Sequence, residues 1–364
     1  MDSTTDPVTA DRPLRRPAVS PWLHALAAAW VTGMLGLGRA RPALYESLLQ
    51  EDHFVEWWTV TLFGAAGILA LRLAWRDRRV FDGLVGAFCI FVAGEEFSWG
   101  QRLLGIMPPE AFLEHNRQQE LTVHNFAAVF GEPRWVLMMA LAGFGVLIPI
   151  VATTRTGRRL LARIGATALR PAAAVWLLAA VALLGWYPLT LTGEWVEALA
   201  GGLFLAAYAA GPARGAIAAG VGAALAGVLT LATGARTASE AELACARAEV
   251  SAIADDLAYG AAATGRLAGS RSVHKRIFTA IEDGYIRREG LEGYRSAACG
   301  PDLAASARRD YAVDPWGTAY WLWMERQDRT IRLVVYSFGP DRRRSGPPGS
   351  AAGDDVTAAL LITP

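Results

Sequence analysis

Two adjacent glutamates stand where the chain is otherwise apolar. Gly94-Glu95-Glu96-Phe97-Ser98-Trp99-Gly100-Gln101-Arg102 closes a hydrophobic stretch that begins at Gly83. Carboxylates at membrane depth are costly, so they are functional candidates by default. If the helix continues, Glu95, Ser98, Trp99 and Arg102 share one face. Glu96 then points about 100° away. Pro108-Pro109 opens an amphipathic stretch, Glu110 to Val123, and Pro109 suits a first helical turn. The stretch ends on His124-Asn125 at the foot of the next apolar segment, which predicts both residues near the glutamates. Three chemistries follow. Glu95 could pair with Arg102 while a buried Glu96 stays neutral, which is a structural network. Glu95, Glu96 and His124, aided by His53 or His115, could hold a transition metal. Glu95 or Glu96 could instead act as a metal-free base on a lipid-linked substrate. Glu95, Glu96, His124, Asn125 and Arg102 are the candidate catalytic set.

The elements that position this cluster are membrane helices. The 364 residues are 53% hydrophobic and 19% charged, with mean hydropathy +0.26. A spanning helix needs about 20 apolar residues. Seven stretches approach that length: Trp22–Leu37, Trp57–Trp75, Gly83–Gly105, Trp135–Val151, Ala172–Leu191, Trp195–Ala210 and Gly215–Gly234. The fold class expected is a polytopic α-helical membrane bundle of about seven spans, followed by a small α+β pilin-like periplasmic domain. Residues 1–21 form a polar cytoplasmic leader, too long and proline-rich for a cleavable signal. Residues 22–213 form the bundle. Arg12, Arg15, Arg16, Arg72, Arg76, Arg78, Arg79, Arg155, Arg158, Arg159, Arg163, Arg170 and Arg214 all fall on one side of a seven-span threading. That side is cytoplasmic by the positive-inside rule. Glu194 and Glu197 then lie at the outer end of the sixth span and read as solvated, though they could join the same outer cavity as the glutamate pair. The odd count exports the carboxyl-terminal third. Arginine dominates the basic charge, Lys275 being the single lysine, which suggests a bacterium with a GC-rich genome; with the spans above, the expected location is the bacterial inner membrane.

The exported tail carries Cys245 and Cys299, which an oxidising compartment allows to pair. From Gly215 the pattern runs as one long helix into an amphipathic segment with Leu243, Val250, Ile253 and Leu257 at helical spacing. Ser239 with Glu242 makes a capping box if the helix breaks there. A short helix is predicted over Ser272–Asp283. Ala319–Met324 and Thr330–Ser337 read as a hairpin, and Val356–Ile362 as a last strand.

This order resembles the type IV pilin fold, most closely the major pseudopilin of type II secretion systems, over residues 214–364. Asp314-Pro315-Trp316-Gly317 with Tyr320 is similar to that family's D-P-W-G-x-x-Y segment. Tyr336-Ser337-Phe338-Gly339-Pro340-Asp341 followed by Gly353-Asp354-Asp355-Val356 is similar to its calcium loop. The resemblance implies a membrane helix at 215–234, a periplasmic domain at 236–364, and calcium held by Asp341, Asp354, Asp355 and the Ser337 carbonyl. Oxygen ligands on an adaptable loop suit calcium. Arg342, Arg343 and Arg344 depart from the family pattern. So does the segment Gly211 to Gly215, which lacks a pilin processing site. E-E-x-S-W-G-Q followed by H-N resembles bacterial polytopic membrane proteins and implies no activity.

No phosphate-binding glycine loop, H-E-x-x-H or G-x-S-x-G occurs, and no sustained basic face for nucleic acid. The expected partners are the lipid bilayer and pilin- or secretion-type subunits. The expected role is an envelope scaffold displaying the tail. The alternative is a membrane-embedded enzyme acting on a lipid or lipid-linked substrate at the outer leaflet through Glu95, Glu96 and His124.

Overall fold

The computed structural model describes residues 14–17, 21–50, 52–104, 109, 111–112, 116, 120–124, 133–209, 211–234, 238–264, 272–277, 280, 299, 313–347 and 349–363. The chain divides into two compact units. The first comprises Met1–Leu49, His53–Trp99 and Val129–Thr230, and the second Gln50–Asp52, Gly100–Ala128 and Leu231–Pro364.

Helices occupy all seven apolar stretches. They are α1 (Pro21–Ala40), with the short α2 (Pro42–Leu48) after it, α3 (Phe54–Asp77), α4 (Val80–Glu96) and α5 (Pro133–Ala142). A π-turn at Gly143–Leu147 and a last turn at Ile148–Val151, carrying Pro149, continue α5. Then come the arginine-rich α6 (Arg155–Arg163), α7 (Pro171–Trp186), α8 (Thr192–Tyr208) and α9 (Pro212–Gly234). Among the described residues, three helices, Phe54–Asp77, Arg134–Val151 and Pro212–Gly234, are long and apolar enough to cross a membrane. Only 11% of the most apolar window of Pro212–Gly234 is buried. Ile217, Val221, Val228 and Leu231 face outward from it. Such a surface would drive aggregation in water and is compatible with insertion in lipid.

Small residues let the helices meet closely. A side chain on Gly67 would come within 2.8 Å of Ile90, and one on Gly86 within 2.8 Å of Leu71, so α3 and α4 cross almost backbone to backbone. Phe63, Phe88 and Phe144 cluster on Phe204, with Phe144 stacked 4.8 Å away. His24 of α1 accepts from Trp176 Nε1 of α7 at 2.9 Å.

One end of the first unit is organised by Asp82, which is fully buried at the start of α4. Arg79 Nε donates to its Oδ2 at 2.6 Å. The Thr167 amide and the Tyr208 hydroxyl donate to Oδ1 at 2.8 and 2.9 Å. The Thr167 hydroxyl donates to Oδ2 at 2.9 Å. Arg15 reaches in from the leader, donating to Thr167 Oγ1 at 3.3 Å and to the Ala207 carbonyl at 3.0 Å. Gly165, at φ +71°, passes so near Arg79 that a β-carbon would sit 2.6 Å from its Cα. That position requires glycine.

The second unit holds α10 (Glu240–Thr264) and the antiparallel strands β1 (Ser272–Arg276), β2 (Trp321–Gln327), β3 (Thr330–Ser337) and β4 (Val356–Ile362), in the order β1-β2-β3-β4. The long helix breaks between Gly234 and Glu240. Ser239 and Glu242 cap the restart reciprocally: the Ser239 amide donates to Glu242 at 2.7 Å, and the Glu242 amide to Ser239 Oγ at 3.2 Å. Where a helix was expected from Ser272, β1 pairs instead with β2, Ser272 opposite Glu325 and Arg276 opposite Trp321. Val250, Ile253 and Leu257 of α10 are buried with Ile331, Leu333 and Val335. The other sheet face carries His274 stacked 4.5 Å from Trp321, with Tyr336 and Phe338. A disulfide joins Cys245 to Cys299.

Removing one partner of a buried ion pair strands the other, which costs about 3–5 kcal/mol. Asp82→Ala is therefore expected to lower the unfolding midpoint of the detergent-solubilised protein sharply. Tyr208→Phe, which loses one hydrogen bond, is expected to cost about 1 kcal/mol. Equal effects of the two substitutions in the same assay would contradict this reading of Asp82.

Candidate functional site

The glutamate pair lies at a helix end rather than in mid-helix. α4 stops at Glu96. Ser98 and Trp99 adopt left-handed backbone at φ 50° and 51°, and Gly100 follows at φ 82°. The turn folds Trp99 back onto the last turn of α4, where its Nε1 donates to Glu95 Oε1 at 2.7 Å. Gly94 makes room, since any β-carbon there would lie 2.7 Å from the indole. Glu95 is buried. The expected continuous face of Glu95, Ser98, Trp99 and Arg102 is therefore corrected: Trp99 reaches Glu95 by chain reversal, not helical spacing. Gln101–Leu104 forms one further helical turn. The Arg102 side chain lies outside the described residues, as do Asn125 and His115. His124 belongs to the second unit. His53 is committed locally, its Nδ1 accepting from the Phe54 amide at 2.9 Å at the start of α3.

Glu96 has different company. Oxygens of Glu96, Glu194 and Glu197 lie within 4.8 Å of one another, all three side chains half-buried. This corrects the reading of Glu194 and Glu197 as solvated. They stand three residues apart on the first turns of α8, hence on one face. The turn is fixed from both sides. Thr192 Oγ1 donates to the Leu189 carbonyl at 2.6 Å. Trp195 Nε1 donates to Tyr45 Oη at 2.9 Å, and that hydroxyl donates to the Thr190 carbonyl at 2.7 Å. Trp30 Nε1 in turn donates to the Trp195 carbonyl at 2.8 Å. An all-oxygen set of this kind accepts a proton or a hard divalent cation such as magnesium, manganese or calcium.

A second group of metal-ligand types, Cys245, Glu249 and Cys299, carries no such promise. Its two sulfurs are bonded to each other. Tyr320 donates its hydroxyl to Glu249, so that carboxylate anchors α10 to the sheet.

The carboxyl-terminal loop was expected to hold calcium. Its residues are brought near one another: the Asp341 amide donates to Asp354 Oδ2 at 3.4 Å. Burial, with repulsion from Asp354, pushes Asp341 up to about 6 and Asp355 up to about 7. Mutual repulsion of that kind fits a cation. Yet amides also reach these oxygens, Arg343 N to Asp341 Oδ1 at 2.8 Å and Ser345 N to Asp355 Oδ2 at 3.1 Å. The three aspartates do not meet as one ligand set. Ser337 turns its hydroxyl to Asp314, the first residue of the D-P-W-G segment. Asp314 also accepts from the Trp316 and Thr318 amides at 3.1 and 2.8 Å, so that segment builds a turn. The arginines have structural work within the same unit. Arg343 donates to the Asp52 carbonyl at 2.7 Å and to Thr233 Oγ1 at 3.0 Å, and the Arg344 amide to Gln50 Oε1 at 2.8 Å.

Asp341 and Asp355 keep their protons to higher pH in the folded tail than in an unfolded chain, where an aspartate titrates near about 3.9. The folded state thus binds more protons between about pH 4 and 7, and its stability falls as pH rises through that window. The tail's melting temperature in chelator is expected to be higher at pH 5 than at pH 7.5. Calcium, if it binds, is expected to restore the difference at pH 7.5 and to fail in Asp354→Ala. A calcium-independent melting curve at pH 7.5 would remove calcium from the loop.

Compared with protein-family models, with curated proteins and with solved structures, the chain finds no match in any of the three.

Proposed function

We propose that this chain is a bacterial inner-membrane protein with seven crossings, a cytoplasmic amino terminus and an exported tail, and that its centre is a cation-binding carboxylate cluster. The observation that carries the centre is the convergence of Glu96, Glu194 and Glu197. Two side-chain clusters support the seven-crossing count. In that threading, Arg15, Asp82, Thr167 and Tyr208 all belong to inner ends, and they meet around one carboxylate. Glu96, Glu194 and Glu197 all belong to outer ends, and they meet as well. A miscount by one crossing between these segments would place partners on opposite faces. The bonded cysteine pair of the tail agrees with an oxidising compartment.

The chemistry that suits the centre is hydrolysis or transfer on a lipid or lipid-linked substrate at the outer leaflet. Glu96, Glu194 and Glu197 would hold a divalent cation, which when bound polarises a phosphoryl or carbonyl oxygen. Glu95 is the positioning residue, its geometry set by Trp99. A second reading, a scaffold that docks pilin- or secretion-type subunits, draws on the packing of α10 against an antiparallel sheet, the layer order of the pseudopilin resemblance.

Elemental analysis of the purified full chain is expected to find about one divalent cation per chain and to lose it in Glu194→Gln with Glu197→Gln. Metal-free protein after loading with magnesium, manganese, calcium and zinc in turn would remove the catalytic reading and leave the scaffold. A reporter active only in the cytoplasm, fused after Pro364, is expected to stay silent. A strong signal would reverse the orientation.

A further inference from the structure

The first unit contains a groove of about 490 Å³ between α1, α3, α8 and α9. Its wall is almost wholly hydrocarbon and indole, with Leu26, Trp30, Trp58, Gly202, Leu203 and Gly215 among the lining residues. The two tryptophans offer it no hydrogen bond. Trp30 Nε1 is taken by the Trp195 carbonyl at 2.8 Å and Trp58 Nε1 by the Ala219 carbonyl at 3.3 Å. An occupant must therefore be apolar along its length. One end of the groove differs. There it is bounded by Gly211, Pro212 and Ala213 at the start of α9, and Arg214, next in sequence, is exposed. The first turn of a 23-residue helix presents positive partial charge, and Arg214 adds a full one. Trp22, also exposed, lines the same groove. An apolar slot with a cationic end and an aromatic rim has the pattern of a lipid chain attached to an anionic headgroup.

We propose that this groove binds one acyl chain of an anionic phospholipid, its phosphate held at Arg214 and the first turn of α9. The inference rests on the reading of α3 and α9 as membrane helices and not on the carboxylate centre. With the amino terminus cytoplasmic, Arg214 faces the inner leaflet, where anionic lipid concentrates basic side chains. The glycines explain why the slot exists. A β-carbon on Gly202 would meet nothing within 4 Å, so that position faces open space rather than a packed neighbour. Every larger side chain there would enter the groove.

The test uses the full chain, solubilised from membranes and exchanged into a second detergent. Native mass spectrometry with phosphorus analysis is expected to find about one phospholipid retained per chain. Gly202→Leu projects into the groove from a position whose β-carbon meets no neighbour, and is expected to cut retained lipid at least fivefold, with the disulfide and helical content unchanged. Arg214→Gln is expected to keep a lipid but lose the preference for phosphatidylglycerol over phosphatidylethanolamine in mixed vesicles. Wild-type protein that carries no lipid, or equal retention in Gly202→Leu, overturns the proposal. So does a dimer whose cross-links map to the groove, because a second copy then covers it. If the chain washes off membranes at alkaline pH, the membrane reading itself fails, and that outcome is distinct from an empty groove in an integral protein.

Discussion

A single buried carboxylate sets the geometry of the first unit. Asp82 has no exposure, and at that depth an ionised group survives only if every lone pair is answered. Four donors answer it, from Arg79, the Thr167 amide and hydroxyl, and Tyr208. These come from the turn before α4, the loop before α7 and the end of α8. None of those segments can shift by a helical turn without leaving a buried charge alone. Packing of small residues between α3 and α4 adds closeness, but the charge network supplies register.

The carboxylate cluster at Glu96 is built on the opposite principle. Asp82 is surrounded by donors, whereas Glu96, Glu194 and Glu197 face one another. The surrounding structure over-determines this unfavourable encounter. Trp195 and Tyr45 lock the first turn of α8, and the left-handed pair Ser98 and Trp99 ends α4 at the right residue. Local strain and like charge held in place by rigid neighbours are hallmarks of sites where chemistry rather than stability decides the residue.

Much of the architecture was legible in the chain. The seven apolar stretches all became helices, and β3 and β4 fall on the residues read as strands, because the apolar pattern is a local signal. The misses have physical reasons. Ser98 and Trp99 in left-handed backbone follow from the room left by Gly94, a contact that spacing does not encode. β1 has one buried apolar residue, Val273, and owes its strand to pairing with β2 more than forty positions away. Asp82 was overlooked because one acid at a helix start looks like an ordinary first-turn residue. The Arg79–Asp82 spacing was the available clue, but Arg79 and Arg15 already had a sufficient reading as positive charge on the cytoplasmic side. Glu194 and Glu197 carried the same i, i+3 clue, but their partner lies about a hundred residues earlier. The arginine triplet looked like a flaw in a calcium loop, but the Arg343 guanidinium bonds the Asp52 carbonyl and Thr233 Oγ1, which gives that residue a structural purpose.

The place of Arg15 has a consequence for biogenesis. Its guanidinium bonds to the carbonyl of Ala207, 192 residues later, and its own carbonyl accepts from the Ala168 amide. The ribosome makes Arg15 before Ala207, so this bond must wait until α8 has been made. Closure of that end is then a late step in forming the first unit, a latch that an early-made segment turns on a later one.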